Sequence, residues 1–137
     1  MGALEVIRYL LDANMISYWL DGSNRLLVHR MREARAESAL SSIVLHELYH
    51  GAFKGSKPDQ NLAVYDQIAF PVIAFDSDDA RAAGEVRATL RRAGTPVGAY
   101  DMMIAGQALA RDLTVVTHNT DEFARVDGLK LADWTLP

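Results

Sequence analysis

Short apolar runs alternate with longer helical segments along this chain, and the alternation limits the fold more than any other feature. Apolar runs at 7–11, 71–75 and 113–117 predict buried strands, and weaker strands are predicted at 39–41 and 129–131. Short strands separated by helices are typical of a parallel sheet. The sequence therefore predicts an α/β fold, a doubly wound parallel β-sheet with helices on both faces, which binds ligands at the carboxyl ends of its strands.

Helical segments fill the intervals between the predicted strands. Ser41 or Ser42 can cap the third of them, which should end near Gly55, and Asp76 or Ser77 can cap a long fifth helix. The predicted helices cover residues 13–20, 25–37, 43–54, 59–69, the stretch from the Asp76 or Ser77 cap to 93, 99–111 and 121–124.

Length and composition exclude several classes of protein. The chain has 137 residues, of which 50% are hydrophobic and 23% charged, and this predicts one globular domain over residues 1–137. It has no cysteine, which excludes disulfide scaffolds and thiolate metal sites and predicts a reducing, cytoplasmic location. No apolar run is long enough to span a bilayer, so no membrane partner is expected.

Three acidic residues occupy positions where a charge is unusual. Asp12 directly follows the first predicted strand, whereas Glu47 and Asp101 interrupt the apolar faces of their helices. Both are expected in the first turns of those helices, where the helix dipole favours negative charge. A buried carboxylate without a partner costs several kcal/mol, so each needs compensation. Pairing with an arginine or capping of a helix end would explain any one of them alone.

These acids indicate a functional site if the fold brings them close together. With Asp121 or Glu122 after the fourth predicted strand, all of them can lie at one edge of a parallel sheet. Clustered carboxylates without soft ligands suit a hard cation such as Mg²⁺ or Mn²⁺. Such an ion can activate water for attack on a phosphodiester. The pattern thus favours a metal-dependent nuclease or phosphatase.

Five segments of the sequence resemble, in order and spacing, the PIN-domain ribonuclease toxins of VapBC toxin–antitoxin systems. They are YLLDAN at 9–14, SSIVLHEL at 41–48, GTPVGAYD at 94–101, VVTHNTDEF at 115–123 and the ending VDGLKLADW at 126–134. The resemblance implies a PIN-like fold and a Mg²⁺- or Mn²⁺-dependent endoribonuclease whose products carry 5′-phosphates. It also implies a homodimer inhibited by a cognate antitoxin protein.

The same resemblance assigns roles to individual acids. Asp12, Glu47 and Asp101 match the three principal acids of these toxins. The fourth acid precedes a phenylalanine, which selects Glu122 and leaves Asp121 as the alternative. We therefore expect Asp12, Glu47, Asp101 and Glu122 to be catalytic and to hold the metal, with Asp121 in a supporting position.

One position departs from the family pattern. Asn14 and Asn119 match supporting polar residues, but Ala13 stands where these toxins usually carry threonine. A missing hydroxyl beside the metal ligands can reduce metal affinity or activity by about 10 to 100-fold. Either the site is weakened, or water or Thr117 supplies the hydrogen bond instead. A non-catalytic PIN module that only binds RNA or a protein partner is the corresponding alternative.

A second metal motif overlaps the first. Residues His46 to His50 read H-E-x-x-H, which on a helix places two imidazoles on one face for zinc and Glu47 beside them as a general base. A catalytic zinc also needs a third protein ligand, and Ser56 stands where the longer motif would place it. A zinc metallopeptidase is therefore a less favoured alternative.

The substrate in the favoured interpretation is RNA, although the net charge is −4. Metal ions and local basic groups must then offset repulsion between the acids and the phosphates. Arg91 and Arg92 are close in sequence to Asp101 and are the predicted RNA-binding arginines.

Overall fold

A five-stranded sheet forms the centre of the computed structural model, which describes residues 6–137. All strand pairs are parallel, and the chain passes from the centre to one edge before it returns to fill the other. This is the doubly wound α/β fold that the sequence predicts. The strands are β1 (Tyr9–Leu11), β2 (Ser38–Ser41), β3 (Val72–Ile73), β4 (Thr114–Val116) and β5 (Lys130–Ala132), in the spatial order β3-β2-β1-β4-β5.

Helices connect the strands and cover both faces of the sheet. Leu10 and Leu11 are neighbours in β1 and are both 0% exposed, as are Val115 and Val116 in β4. Successive strand residues point to opposite faces, so both faces are buried. The helices are α1 (Ala13–Asp21), α2 (Arg25–Ala34), α3 (Ser42–Lys54), α4 (Pro58–Asp66), α5 (Ser77–Ala93), α6 (Ala99–Arg111) and α7 (Thr120–Phe123). Between residues 6 and 137, no helix combines the length and apolar content needed to cross a bilayer.

Most element boundaries differ from the sequence prediction by one or two residues, and the largest differences lie at α2, α4 and β3. The α2 helix ends at Ala34, and a 3-10 turn over Arg35–Glu37 follows it, because the Ser38 hydroxyl donates to the Ala34 carbonyl and turns the chain into β2. The α4 helix ends at Asp66 rather than 69, since Phe70 must reach the core before β3. Strand β3 is only two residues long.

Helix caps fix where α3 and α5 begin. The Ser41 hydroxyl accepts from the Ile43 N–H at 3.1 Å, and Asp76 caps α5 in a reciprocal capping box with Asp79. Because α3 begins at Ser42, Glu47 lies in its second turn, and the prediction of a first-turn position is wrong. Asp101 is the third residue of α6 and does lie in the first turn.

One buried acid has a purely structural environment. Asp79 on α5 is 0% exposed, and its carboxylate accepts from Arg111 Nε at 3.1 Å and Gln107 Nε2 at 2.9 Å. The Asp76 N–H donates to the same carboxylate at 3.0 Å. These donors tie the start of α5 to the end of α6, which compensates the buried charge.

Replacing Asp79 by alanine should destabilise the protein by about 3 kcal/mol, because it leaves buried donors unpaired and removes half of a capping box. Chemical denaturation of Asp79→Ala measures this loss. Asp78→Ala, at an exposed position beside it, should change the free energy of unfolding by less than about 0.5 kcal/mol. Equal effects of the two substitutions would contradict a stabilising role for the Asp79 network.

Candidate active site

The candidate site lies at the carboxyl edge of the sheet, between the two central strands β1 and β4. The connection after β1 leads to one side of the sheet and the connection after β4 to the other, so a crevice opens where they diverge. Asp12 follows β1, and Thr117 follows β4 directly. Helices α3, α6 and α7 add Glu47, Asp101 and Glu122.

Asp12 is fixed at the base of this crevice. One carboxylate oxygen, Oδ1, accepts from the Ala13 N–H at 2.7 Å and caps α1, and Oδ2 accepts from the Thr117 hydroxyl at 2.7 Å. Burial raises the pKa of Asp12, against these hydrogen bonds, and the nearby Glu122 charge raises it further. Thr117 thus provides a hydroxyl beside the acid in a chain that has Ala13 in the neighbouring position.

Glu47 has the least compensated charge of the cluster. Its Oε1 atom is buried and has no hydrogen-bond partner among the described residues. Burial, followed by the charges of Asp12 and Asp101, raises the pKa of Glu47 to about 7. A carboxylate in this state gains strongly from a nearby cation.

Asp101 faces the same crevice from the first turn of α6. Burial raises its pKa to about 6, with further contributions from the charges of Asp12 and Glu122. Asn119 Nδ2, at 3.4 Å from Asp101 Oδ2, opposes the shift only weakly. The Asp12 charge acts on both Glu47 and Asp101, and the Glu122 charge acts on both Asp12 and Asp101. The two aspartates therefore lie between the two glutamates.

Glu122 is the most firmly hydrogen-bonded acid. The Gly98 N–H donates to Oε1 at 2.6 Å and Asn119 Nδ2 to Oε2 at 2.8 Å. These two bonds, with the Arg125 charge as a lesser contribution, lower the pKa of Glu122. The neighbouring Asp121 is exposed. Of the two acids that the sequence left open, Glu122 is the one that joins the other three.

No cation of the described chain lies within ion-pair distance of these acids. Among residues 6–137, none of the ion pairs includes Asp12, Glu47, Asp101 or Glu122. Within the same range, no three acidic or histidine side chains form a ready-made metal cage. Mg²⁺ is usually held by one or two carboxylates together with waters and substrate phosphates, so an open arrangement of oxygen donors suits it. Catalytic zinc takes three protein ligands, which this arrangement does not supply.

A cleft of about 530 Å³ adjoins the cluster on the Glu47 side. Asn14, His46, His50, Lys54 and Tyr100 contribute to its walls. Both histidines of the H-E-x-x-H motif are exposed here. Lys54 and Tyr100 were not selected from the sequence, since only the packing of α6 beside α3 places them in the same cleft.

The predicted RNA-binding arginines lie outside the acid cluster. Arg91 and Arg92 are exposed on the last turn of α5, and Arg91 lines a cavity that reaches Ala99, two residues before Asp101. Arg92 contacts Thr89 on its own helix. Arg125, which the sequence analysis missed, donates to the Pro96 carbonyl at 2.9 Å and lies closer to Glu122. The sequence does contain a signal for Arg125, which is its position three residues after Glu122.

Comparison with known proteins places the chain in a defined group. The sequence model of the PIN domain matches residues 9–129. A tRNA(fMet)-specific endonuclease VapC from Shigella flexneri is 38% identical over 95% of this chain and 100% of its own length. Ribonuclease VapC2 from Haemophilus influenzae is 30% identical over 94% of this chain and 99% of its own length.

Solved structures of similar sequence have the same fold as this chain. The DNA-bound VapBC complex from Salmonella typhimurium contains a chain that superposes with a TM-score of 0.90 at 38% identity, with 94% of this chain and 99% of that one covered. VapBC2 from Rickettsia felis, bound to a promoter DNA fragment, gives a TM-score of 0.86 at 31% identity and covers 93% of this chain and 99% of that one.

Neutralising Glu47 should stabilise the metal-free protein. The folded-state pKa of about 7 exceeds the ordinary value of 4.5, so the cost of ionising Glu47 grows as pH rises between these values and is complete above them. After allowance for solvent screening, Glu47→Gln should add about 1 to 2 kcal/mol at about pH 8 and only a few tenths at about pH 5.

Denaturant unfolding in the presence of a chelator measures this difference. Glu85→Gln, at an exposed position on α5, makes the same chemical change and should alter stability by less than about 0.5 kcal/mol at both pH values. A Glu47→Gln variant that is less stable than its parent at about pH 8 would contradict the described electrostatics.

Proposed function

Because the chain belongs to the PIN domain family and to its VapC members, we propose that it is an endoribonuclease toxin of a type II toxin–antitoxin system. It hydrolyses RNA phosphodiester bonds at a Mg²⁺ or Mn²⁺ site, and residues 1–137 act as a single PIN domain. This protein would work in the cytoplasm, where RNA and divalent cations are both present.

The observation that carries this proposal is the convergence of four acids, three of which have raised pKa values. Burial and mutual repulsion raise the pKa values of Asp12, Glu47 and Asp101 together, although ordinary structural acids in this fold, such as Asp79, have cationic partners. Groups with strongly perturbed pKa values in a crevice are typical of functional sites. A bound cation would offset the repulsion among these carboxylates, which explains why the protein keeps them together.

The donor set fits a hard divalent cation. Every candidate ligand is a carboxylate oxygen, and Glu47 Oε1 is buried and unpartnered within the described chain. Asp12, Glu47 and Asp101 are the principal candidates to hold the ion. Glu122 completes the set, and the N–H hydrogen bonds from Gly98 and Asn119 hold its carboxylate beside the other three.

When bound, the ion supplies positive charge that draws a phosphodiester to the acids and activates water for attack on phosphorus. The protein's own groups orient the site. Thr117 holds Asp12, and its hydroxyl in turn accepts from the Asn119 N–H at 2.9 Å. Asn119 then bridges Asp101 and Glu122 through its side-chain amide. This connected set fixes three acids without neutralising them, and Asn14 and Asp121 support its rim.

The substrate is a structured RNA. The Shigella flexneri relative carries the name tRNA(fMet)-specific endonuclease, and the identity of 38% over nearly the full length makes initiator tRNA the first RNA to test. Arg91 and Arg92 would bind phosphates beyond the cleaved bond. Both are exposed and lie near the loop that leads to Asp101.

A cognate antitoxin is the proposed protein partner. The relatives from Salmonella typhimurium and Rickettsia felis were solved as VapBC complexes. Basic side chains of such a partner could enter the acid cluster, whose four acids form no ion pair within the described residues. A homodimer remains a prediction of the family resemblance.

The second candidate function is a non-catalytic module that binds RNA or a protein. It would follow if Ala13 had weakened the site. The Thr117 hydroxyl at 2.7 Å from Asp12 Oδ2 counts against this alternative, because it provides a hydrogen bond at the first acid.

RNA cleavage by the purified protein should require Mg²⁺ or Mn²⁺ and should leave 5′-phosphates. The Asp101→Asn variant should lose at least about 100-fold in rate, because even indirect partners of a metal are worth about 10 to 100-fold. Product-end mapping on initiator tRNA and other structured RNAs, with Mg²⁺, Mn²⁺, Zn²⁺ or a chelator, measures this.

Asp112→Asn makes the same chemical change at an exposed position just before β4, at the opposite edge of the sheet, and should keep the rate within about 2-fold of the parent. Equal cleavage by the parent and Asp101→Asn would indicate a contaminating nuclease. Inactivity on every RNA, with RNA binding retained, would replace the proposal with the non-catalytic module.

A further inference from the structure

The cleft beside Glu47 combines aromatic, imidazole and ammonium groups in one row. His46, His50 and Lys54 follow one another at intervals of four residues on α3, so they lie on one face of the helix. At about 1.5 Å of rise per residue, the row extends about 12 Å away from the acid cluster. Its near end adjoins Glu47, and its far end carries a positive charge.

Tyr100 completes the near end of this row. Its ring centroid lies 5.4 Å from that of His46, with the planes at 57°. Tyr100 is 46% exposed, so part of its ring remains open to solvent. The start of α6 fixes its backbone directly before Asp101. An open aromatic surface is thus held next to the residues proposed to act on RNA.

This combination matches the chemistry of single-stranded RNA. Unpaired bases stack on exposed aromatic rings, and lysine side chains bind the backbone phosphates beside them. The acids at the crevice repel phosphates, whereas Lys54 attracts them at the far end of the row. A strand that entered the cleft along this row would reach the acid cluster from its Glu47 side.

We propose that the cleft between α1, α3 and the first turn of α6 binds unpaired RNA next to the cleaved bond. One base stacks on Tyr100 and His46, and the adjoining backbone contacts His50 and Lys54. The proposal rests on the proposed ribonuclease function and adds the path of the substrate strand. It also gives a preference: an unpaired segment binds better than a duplex.

Fluorescence anisotropy with a labelled RNA of about 20 nucleotides, single-stranded or annealed to its complement, tests the proposal. All proteins carry Asp101→Asn to prevent cleavage. Tyr100→Ala should weaken binding of the single strand about 10-fold, and Tyr100→Phe should restore most of the affinity, because the stacking surface returns. Neither substitution should change duplex binding by more than about 2-fold, since paired bases are not available for stacking.

Lys54→Ala should weaken binding and reduce the slope of log Kd against log salt by about 0.7 per lost phosphate contact. Lys130→Ala is the matched control. Lys130 begins β5 at the opposite, amino-terminal edge of the sheet and pairs with Asp112, so its loss should leave both quantities unchanged.

Single-strand binding that is unaffected by Tyr100→Ala, or reduced equally by Tyr100→Phe, would overturn the proposal. Metal-dependent cleavage by the parent protein, measured separately, distinguishes this failure from failure of the proposed function. If the parent cleaves RNA, and Tyr100→Ala binds normally and, with Asp101 restored, cleaves at the parental rate, the substrate path is wrong and the ribonuclease function stands.

Discussion

Repulsion among carboxylates at the carboxyl edge of the sheet is the constraint on which the functional account depends. The parallel fold brings the end of β1 beside the end of β4, and α3, α6 and α7 aim further acids at the same crevice. Burial removes the water that would otherwise stabilise their charges. The result is a site in which Glu47 titrates near neutral pH.

The contrast with Asp79 shows that this arrangement is not forced by the fold. Asp79 is also buried on a helix of the same domain, yet Arg111 and Gln107 bind its carboxylate. The same protein thus stabilises one buried acid fully with internal donors. At the crevice, Asn119 and Thr117 position the acids but bring no positive charge. The remaining repulsion lowers the stability of the fold at the crevice, and such a loss is common at functional sites.

The sequence predicted the features that follow from chain order and strand direction. Parallel strands share one carboxyl edge, so the convergence of Asp12, Glu47, Asp101 and an acid after β4 could be expected from the order of the elements alone. The proposed role of each acid still depends on the resemblance to PIN-domain toxins. The doubly wound sheet followed from the alternation of apolar runs and helices, and the structure confirms it.

Features set by packing between distant elements could not be predicted in this way. The Gly98 N–H that holds Glu122 is a backbone group with no side-chain signature. The turn of α3 that carries Glu47 depends on which of two serines caps the helix. Tyr100 and His46 meet only because α6 begins beside α3. Each of these depends on distances between elements that spacing along the chain does not encode.

The central claim is that burial, together with repulsion from Asp12 and Asp101, raises the pKa of Glu47 and that a divalent cation offsets this excess of negative charge. Carboxyl ¹³C NMR of glutamate-labelled protein, with the Glu47 signal assigned by its loss in Glu47→Gln, measures this pKa directly. The account predicts a value of about 7 without metal and a value well below that in Mg²⁺. An ordinary pKa near 4.5 in the metal-free protein, or a raised pKa that Mg²⁺ leaves unchanged, would contradict it.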